Sequence, residues 1–399
     1  MSNAVYIAGY GMITSIGNNV AENKDSLLAQ KENISLLKRL PTNKQLPGAE
    51  VALSNEELAH IAKLSPTITR TALLSMIAAR EAFYSFDLED KMNYRSGFIS
   101  ANTVGGMDKT EVFIADFLAD ENGGKLHQVV NHDCGASTEI VAKELGIHHY
   151  VSTISTACSS AANALAHAAR LIRHDILDWA IAGGTDSFSR FTLNGFNSLM
   201  ILDKEKCRPF DESRVGLNLG EGAGYLVLVS DTLAEKLSLK PTVKLAGYFN
   251  ANDAFHQTAS SAEGDGNYLA MSGALDSANL TPNDIDYINL HGTGTQNNDS
   301  SEGIAIKRLF DGELPPISST KTYTGHTLAA CGAIEGIYAC MAINNGVLFP
   351  NLRFQESIKE HGINPITKIT YQSVNNVLSN SFGFGGNCSS LIFSKVATL

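Results

Sequence analysis

One of the six cysteines, Cys158, sits in Val151-Ser152-Thr153-Ile154-Ser155-Thr156-Ala157-Cys158-Ser159-Ser160, directly before an alanine-rich run. Val151 and Ile154 favour an extended backbone. Ser155 and Thr156 suit a helix start, and residues 161–169 hold six alanines, a strong helix signal. That helix carries so few large or charged side chains that it fits burial on all sides. Cys158 then stands at a helix N-terminus, where free N–H groups and the helix dipole favour thiolate over thiol. It reads as a nucleophile; the plainer reading is a small core cysteine. His291 follows the apolar run Ile285–Leu290, and catalytic groups collect at strand ends in α/β folds. His326 precedes a second small-residue helix, whose positive end keeps an imidazole neutral. Their plainer readings are a turn histidine and a capping histidine. Glu335 lies among Ala, Ile and Gly; a buried carboxylate needs a partner, and Lys321 is the natural one. Backbone N–H groups of the turn Phe382-Gly383-Phe384-Gly385-Gly386 suit an oxyanion. One cysteine, two histidines and a Lys/Glu pair fit acyl transfer through a thioester. Two histidines exceed what a hydrolase needs, and fit a step that holds an enolate oxygen or a departing carboxylate.

The elements that must position these groups alternate between strand and helix. Strands are predicted at 4–9, 95–102, 151–154, 179–184, 225–229, 243–249, 285–290, 317–321 and 390–393, and helices at 67–83, 110–119, 136–145, 266–279, 301–310 and 328–344. Residues 31–64 are polar and irregular, and read as a surface excursion. Gly220-Glu221-Gly222-Ala223-Gly224 lacks the context of a phosphate loop and reads as a turn entering a strand. Thr156-Ala157-Cys158 and Thr324-Gly325-His326 each follow a β-run and precede a small-residue helix. This echo predicts an internal duplication in α/β layers, with residues 1–240 carrying the cysteine and 241–399 the two histidines.

Composition bounds the function. The 399 residues are 44% hydrophobic and 18% charged, as in an ordinary globular protein. A net charge of −11 argues against a nucleic-acid surface. No Cys/His spacing suggests a metal. No run of about 18 apolar residues predicts a membrane span. The start lacks a leader pattern, so reduced thiols in the cytoplasm are expected.

The motifs together resemble the β-ketoacyl-acyl carrier protein synthases, over nearly the whole chain. They are Thr156-Ala157-Cys158-Ser159-Ser160, Arg208-Pro209-Phe210-Asp211, Gly220–Gly224, His291-Gly292-Thr293-Gly294-Thr295, Lys321–His326 and Asn380–Gly386. The Cys-His-His pattern is that of the elongating branch. The resemblance implies a thiolase-like fold of two α/β halves in five layers (αβαβα). It implies decarboxylative condensation of malonyl carrier protein with an acyl chain on Cys158. His291 and His326 would stabilise the enolate, with Lys321 and Glu335 tuning them. The N–H groups of Cys158 and Phe384 would form the oxyanion hole. Thr293 and Thr295 would contact the pantetheine arm, and Phe384 would gate malonyl entry. No metal or cofactor is implied. The implied partners are an acyl carrier protein and either an identical subunit or a chain-length-factor-like paralogue. Two departures stand out: Asn387-Cys388 replaces the usual Thr-Asn after the glycine turn, and Val215 replaces an acidic residue. They incline the reading toward specialised polyketide or aryl polyene elongation over housekeeping fatty acid synthesis. The rivals are a coenzyme A-dependent thiolase, with Cys388 as second cysteine, and a non-catalytic partner subunit.

Overall fold

A computed structural model describes residues 4–86, 91–311 and 313–397; the first three residues, part of the start read above as leaderless, lie outside it. Ten strands form one mixed sheet. They are β1 (Val5–Thr14), β2 (Ser96–Ala101), β3 (Tyr150–Ile154), β4 (Trp179–Asp186), β5 (Gly222–Ser230), β6 (Val243–Asn252), β7 (Tyr287–Asn289), β8 (Ile317–Ser318), β9 (Asn376–Phe382) and β10 (Asn387–Lys395). Their order is β8-β7-β9-β10-β6-β1-β5-β4-β2-β3. Outward from the central β1–β6 pair, β1–β5 and β6–β10 each run first, fifth, fourth, second, third. Directions repeat too: two antiparallel pairings, then two parallel ones, in each set. The sets meet where Tyr6 and Ile7 pair with Lys244 and Val243.

Two buried helices, Ser160–Arg173 and Cys331–Asn345, lie between the two sets. Their small residues share one apolar cluster with Ile99, Ala182 and Leu226 on one side and Val377, Leu391 and Phe393 on the other. Small side chains let the helices touch: a Cβ on Gly332 would lie 2.8 Å from Ala162 N. The helix Arg70–Ser85 covers the outer face of the first set through Leu73, Leu74 and Ile77. Helices Asp265–Ala278 and Gln296–Leu309 cover the second through Met271, Ala274 and Ile306. The layers are therefore α, β, α, β, α.

Residues 31–64 are not the surface excursion expected. Ile34, Leu46, Val51 and Leu58 are buried. Residues Asn55–Ala62 form a helix because Ser54 and Glu57 make a reciprocal capping box, a pattern readable in Ser54-Asn55-Glu56-Glu57. The helix Arg190–Ser198, capped by Ser189, and strand β9 were also unforeseen. Lys321 is not at a strand end: it opens a one-turn helix, Lys321–Thr324.

Candidate active site

Cys158 and His326 occupy matching places. Each follows the third strand of its set and precedes a central helix. The residue before each has a positive φ, Ala157 at 53° and Gly325 at 64°. Glycine accepts this freely; for alanine it costs about 1–2 kcal/mol. Local bonds hold the alanine: Ser160 Oγ donates to Ala157 O at 2.5 Å and accepts from Thr156 N at 2.8 Å. His326 is fixed by its neighbours' backbone, donating from N to Asn218 O at 2.8 Å and accepting at O from Gly220 N at 2.9 Å.

His291 leaves the end of β7 in a loop pinned by two buried carboxylates from the helix Gln296–Leu309. Glu302 accepts from the N–H groups of His291 (2.9 Å) and Gly292 (2.8 Å) and from Asn380 Nδ2 (3.1 Å). Asp299 accepts from Thr293 N at 3.1 Å and Phe210 N at 2.8 Å. Burial pushes Glu302 up to about 7, while these N–H groups pull back. The sequence reading missed both acids. Glu302 carried the signal used for Glu335, a carboxylate among small and apolar residues, here Ser301-Glu302-Gly303-Ile304-Ala305; Asp299, among Asn and Ser, carried none.

Lys321 and Glu335 pair as expected, at 2.6 Å and fully buried. Burial pulls Lys321 down, but Glu335 more than offsets this and leaves it raised. Burial pushes Glu335 up to about 7 against the pull of Lys321. Breaking such a pair strands a buried charge, so Glu335→Gln should lose about 3–5 kcal/mol of stability in denaturant unfolding.

Lys321 Nζ also lies 3.4 Å from His291 Nδ1. An ammonium can only donate, so His291 Nδ1 accepts and its proton sits on Nε2. His326 Nδ1 accepts from Leu328 N at 3.2 Å, which puts its proton on Nε2 too. Burial first, then the Lys321 charge, holds both imidazoles well below their ordinary pKa and so neutral. One ring nitrogen from each histidine and Cys158 Sγ lie within 4.8 Å of one another. That spacing would admit a metal ion, but a ligating nitrogen must be unprotonated. Two Nε2–H donors suit an oxygen that gathers negative charge.

Cys158 is buried, and burial pushes its thiol up to about 11; the Phe384 N–H, the Lys321 charge and its own N–H pull the other way. This corrects the expected direction. Cys158 stands one residue before the cap Ser159, outside the helix itself, and desolvation is the largest influence on its thiol. The thiolate is the reacting form, so alkylation of Cys158 should rise about tenfold per pH unit between pH 7 and 10. A plateau from pH 7 upward would contradict this.

A cavity of about 260 Å³ leads to the cysteine, lined by Cys158, His291, His326, Thr293, Thr295 and Phe384. A second, mostly apolar space of about 470 Å³ also reaches Cys158, lined by Val104, Met107, Phe191, Phe196 and Leu199. Phe384 and Phe196 line both and stack at 5.8 Å between ring centres. Thr293 and Thr295 hydroxyls lie 3.0 Å apart. Cys158, His291, His326, Thr293, Thr295 and Phe384 thus converge on one cavity, with Lys321 against His291 and Glu335 behind Lys321. Cys388 stands elsewhere: it is buried with Ala270 and Met271, and its thiol meets Asn267 Oδ1 at 3.3 Å. Val215, the acidic-to-apolar departure, is 59% exposed and lines the cavity beside Met200.

The layered fold and this cysteine–histidine site define a thiolase-like enzyme. Residues 2–234 match the family model for the beta-ketoacyl synthase N-terminal domain, and residues 243–355 the C-terminal domain. A 3-oxoacyl-[acyl-carrier-protein] synthase 2 of Staphylococcus aureus is 31% identical, covering 98% of each chain. The chain therefore belongs to the β-ketoacyl synthase family, an acyltransferase family. Among solved structures, the ishigamide ketosynthase/chain length factor matches with a TM-score of 0.94 at 28% identity over 100% of both chains. The ketosynthase ApeO of Xenorhabdus doucetiae, in complex with its chain length factor ApeC, matches with a TM-score of 0.85 at 29% identity over 99% and 98%.

Proposed function

We propose that this chain is the catalytic subunit of an elongating ketosynthase that condenses malonyl carrier protein with an acyl chain held on Cys158. The observation that carries this is the matched pair of Nε2–H imidazoles beside the cysteine. The Cys158 thiol attacks an acyl thioester and releases the carrier's thiol, and the acyl chain enters the apolar space. The malonyl arm occupies the other cavity, with Thr293 and Thr295 beside its pantetheine. The malonyl carboxylate leaves as carbon dioxide. Its bonding electrons form an enolate, whose oxygen the Nε2–H groups of His291 and His326 hold. The enolate carbon attacks the Cys158 thioester, and the N–H groups of Cys158 and Phe384 hold the tetrahedral oxyanion. The carbon–sulfur bond breaks, Cys158 leaves as thiolate, and the carrier departs with a β-ketoacyl chain two carbons longer. Lys321, kept charged by Glu335, fixes His291 Nδ1 as an acceptor. Every step uses the chain's own groups, and the reading needs no metal or cofactor.

The same reading takes residues 1–240 and 241–399 as duplicated halves; the repeated strand order supports it. It places the enzyme in the cytoplasm. Among the described residues, no helix is long and apolar enough to cross a membrane. A specialised polyketide or aryl polyene pathway, with a chain-length-factor-like partner, is favoured because two matched structures are ketosynthases with chain length factors. The thiolase rival loses support because Cys388 packs against Asn267. The test is condensation with acyl and malonyl carrier proteins, alone and with the candidate partner. We expect a β-keto product and carbon dioxide. Chain transfer from acyl coenzyme A that needs neither carrier nor malonyl would favour the thiolase.

A further inference from the structure

The strained turn that presents Cys158 and the glycine turn that carries Phe384 belong to different parts of the chain, yet both contribute an oxyanion donor in the proposed reaction. Their separation must therefore be held. They come very close: a Cβ on Gly383 would lie 3.1 Å from Cys158 N and 3.1 Å from Thr156 O. Asn387 stands where the two turns join. Its side-chain oxygen accepts from Ser159 Oγ at 2.6 Å, Asn163 Nδ2 at 2.8 Å and Asn250 Nδ2 at 2.8 Å. Its backbone oxygen accepts from Gly383 N at 2.9 Å. Ser159 follows the cysteine directly, and Asn163 Nδ2 also reaches Thr156 Oγ1 at 2.9 Å. Asn387 thus binds the residue after Cys158 directly and Thr156 through Asn163, and it holds the base of the Phe384 turn with its backbone.

We propose that Asn387 is a positioning residue that sets the register between the two oxyanion donors, the N–H groups of Cys158 and Phe384. This rests on the ketosynthase reading. Three side-chain donors converge on one oxygen. Strained backbone such as Ala157 at φ 53° persists only where its surroundings over-determine it. Asn387 supplies a constraint from a distant part of the chain, beside the one that Asn163 makes to Thr156. What it contributes is an acceptor, so an aspartate of the same shape keeps the function and an alanine loses it. The departure from Thr-Asn noted in the sequence at Asn387-Cys388 thereby gains a role.

The experiment compares wild type, Asn387→Ala, Asn387→Asp, Ser159→Ala and the Ser159→Ala/Asn387→Ala double variant in the condensation assay, with each rate scaled to folded protein. Misplaced catalytic donors cost on the order of 10–100-fold. We expect Asn387→Ala to lower kcat by about that factor, with the KM for malonyl carrier protein within about twofold. Asn387→Asp should recover most of kcat. The double variant should lose less than the sum of the two single losses, since both changes cut the Ser159–Asn387 bond, although Ser159 Oγ also donates to Thr156 O at 2.7 Å. An unchanged kcat in Asn387→Ala, an Asn387→Asp variant as impaired as the alanine, or additive losses in the double variant would overturn the assignment. If Asn387→Ala does not fold, Ser159→Ala and Asn387→Asp still decide it: a lower kcat in the first with near-normal kcat in the second supports the link, and any other pattern overturns it. A wild-type protein that forms no β-keto product would overturn the ketosynthase reading, and this inference with it.

Discussion

Cys158→Ala should abolish condensation yet leave malonyl decarboxylation measurable. Condensation needs the Cys158 thioester as the electrophile, and among the described residues no other thiol lines the cavity: Cys331 donates to Cys158 O at 3.1 Å and Cys388 meets Asn267. Removing a nucleophile on which the covalent intermediate depends costs on the order of 10⁴–10⁶-fold. Decarboxylation draws on different groups. In the proposed reaction its developing enolate is held by two imidazole N–H donors, and these are positioned by Lys321, Leu328 N and Glu302 rather than by the sulfur. Carbon dioxide release and β-keto product, measured side by side, separate the two half-reactions. A non-catalytic partner subunit would behave differently, with product formation unchanged in the variant.

His326→Ala should do the reverse of a selective loss and cut decarboxylation and condensation together. Removing one preorganised donor to a developing oxyanion costs about 10²–10³-fold. His326 is buried and neutral, and its Nδ1 is occupied by Leu328 N, so it has no proton to lose or gain near neutral pH. Its loss should therefore lower the rate without moving the pH profile between 6 and 8. His291→Ala should act in the same direction, with a further effect because Lys321 Nζ loses its contact at 3.4 Å. The measurement is carbon dioxide release from malonyl carrier protein across that pH range. A His326→Ala enzyme with wild-type decarboxylation would remove this histidine from the scheme.

Much of the site was legible because each residue carried a local anomaly. Cys158 preceded a run of alanines, and Glu335 was a charge inside an apolar helix. His291 and His326 stood among Gly and Thr at element ends. The Thr156-Ala157-Cys158 and Thr324-Gly325-His326 echo matches equivalent places in the two strand sets, each with a positive-φ residue before the catalytic candidate. What escaped depended on long-range partners. Asp299 is an ordinary helix acid until β7 places the His291 loop above it, and the backbone partners of Glu302 come from that same loop. The buried stretch around Ile34, Leu46 and Val51 looked polar because its apolar residues follow neither a helical nor a strand period. The raised thiol escaped for a similar reason: a helix end is visible in sequence, but the depth of burial around Cys158 is not.

The account turns on Cys158 as the acyl acceptor. Intact-mass analysis of the purified protein with a panel of acyl carrier proteins tests this most directly. We predict a mass gain equal to one acyl group, mapped by digestion to the peptide containing Cys158, absent in Cys158→Ala and discharged when malonyl carrier protein is added. No gain with any acyl carrier thioester, or a gain that persists in Cys158→Ala, would contradict it.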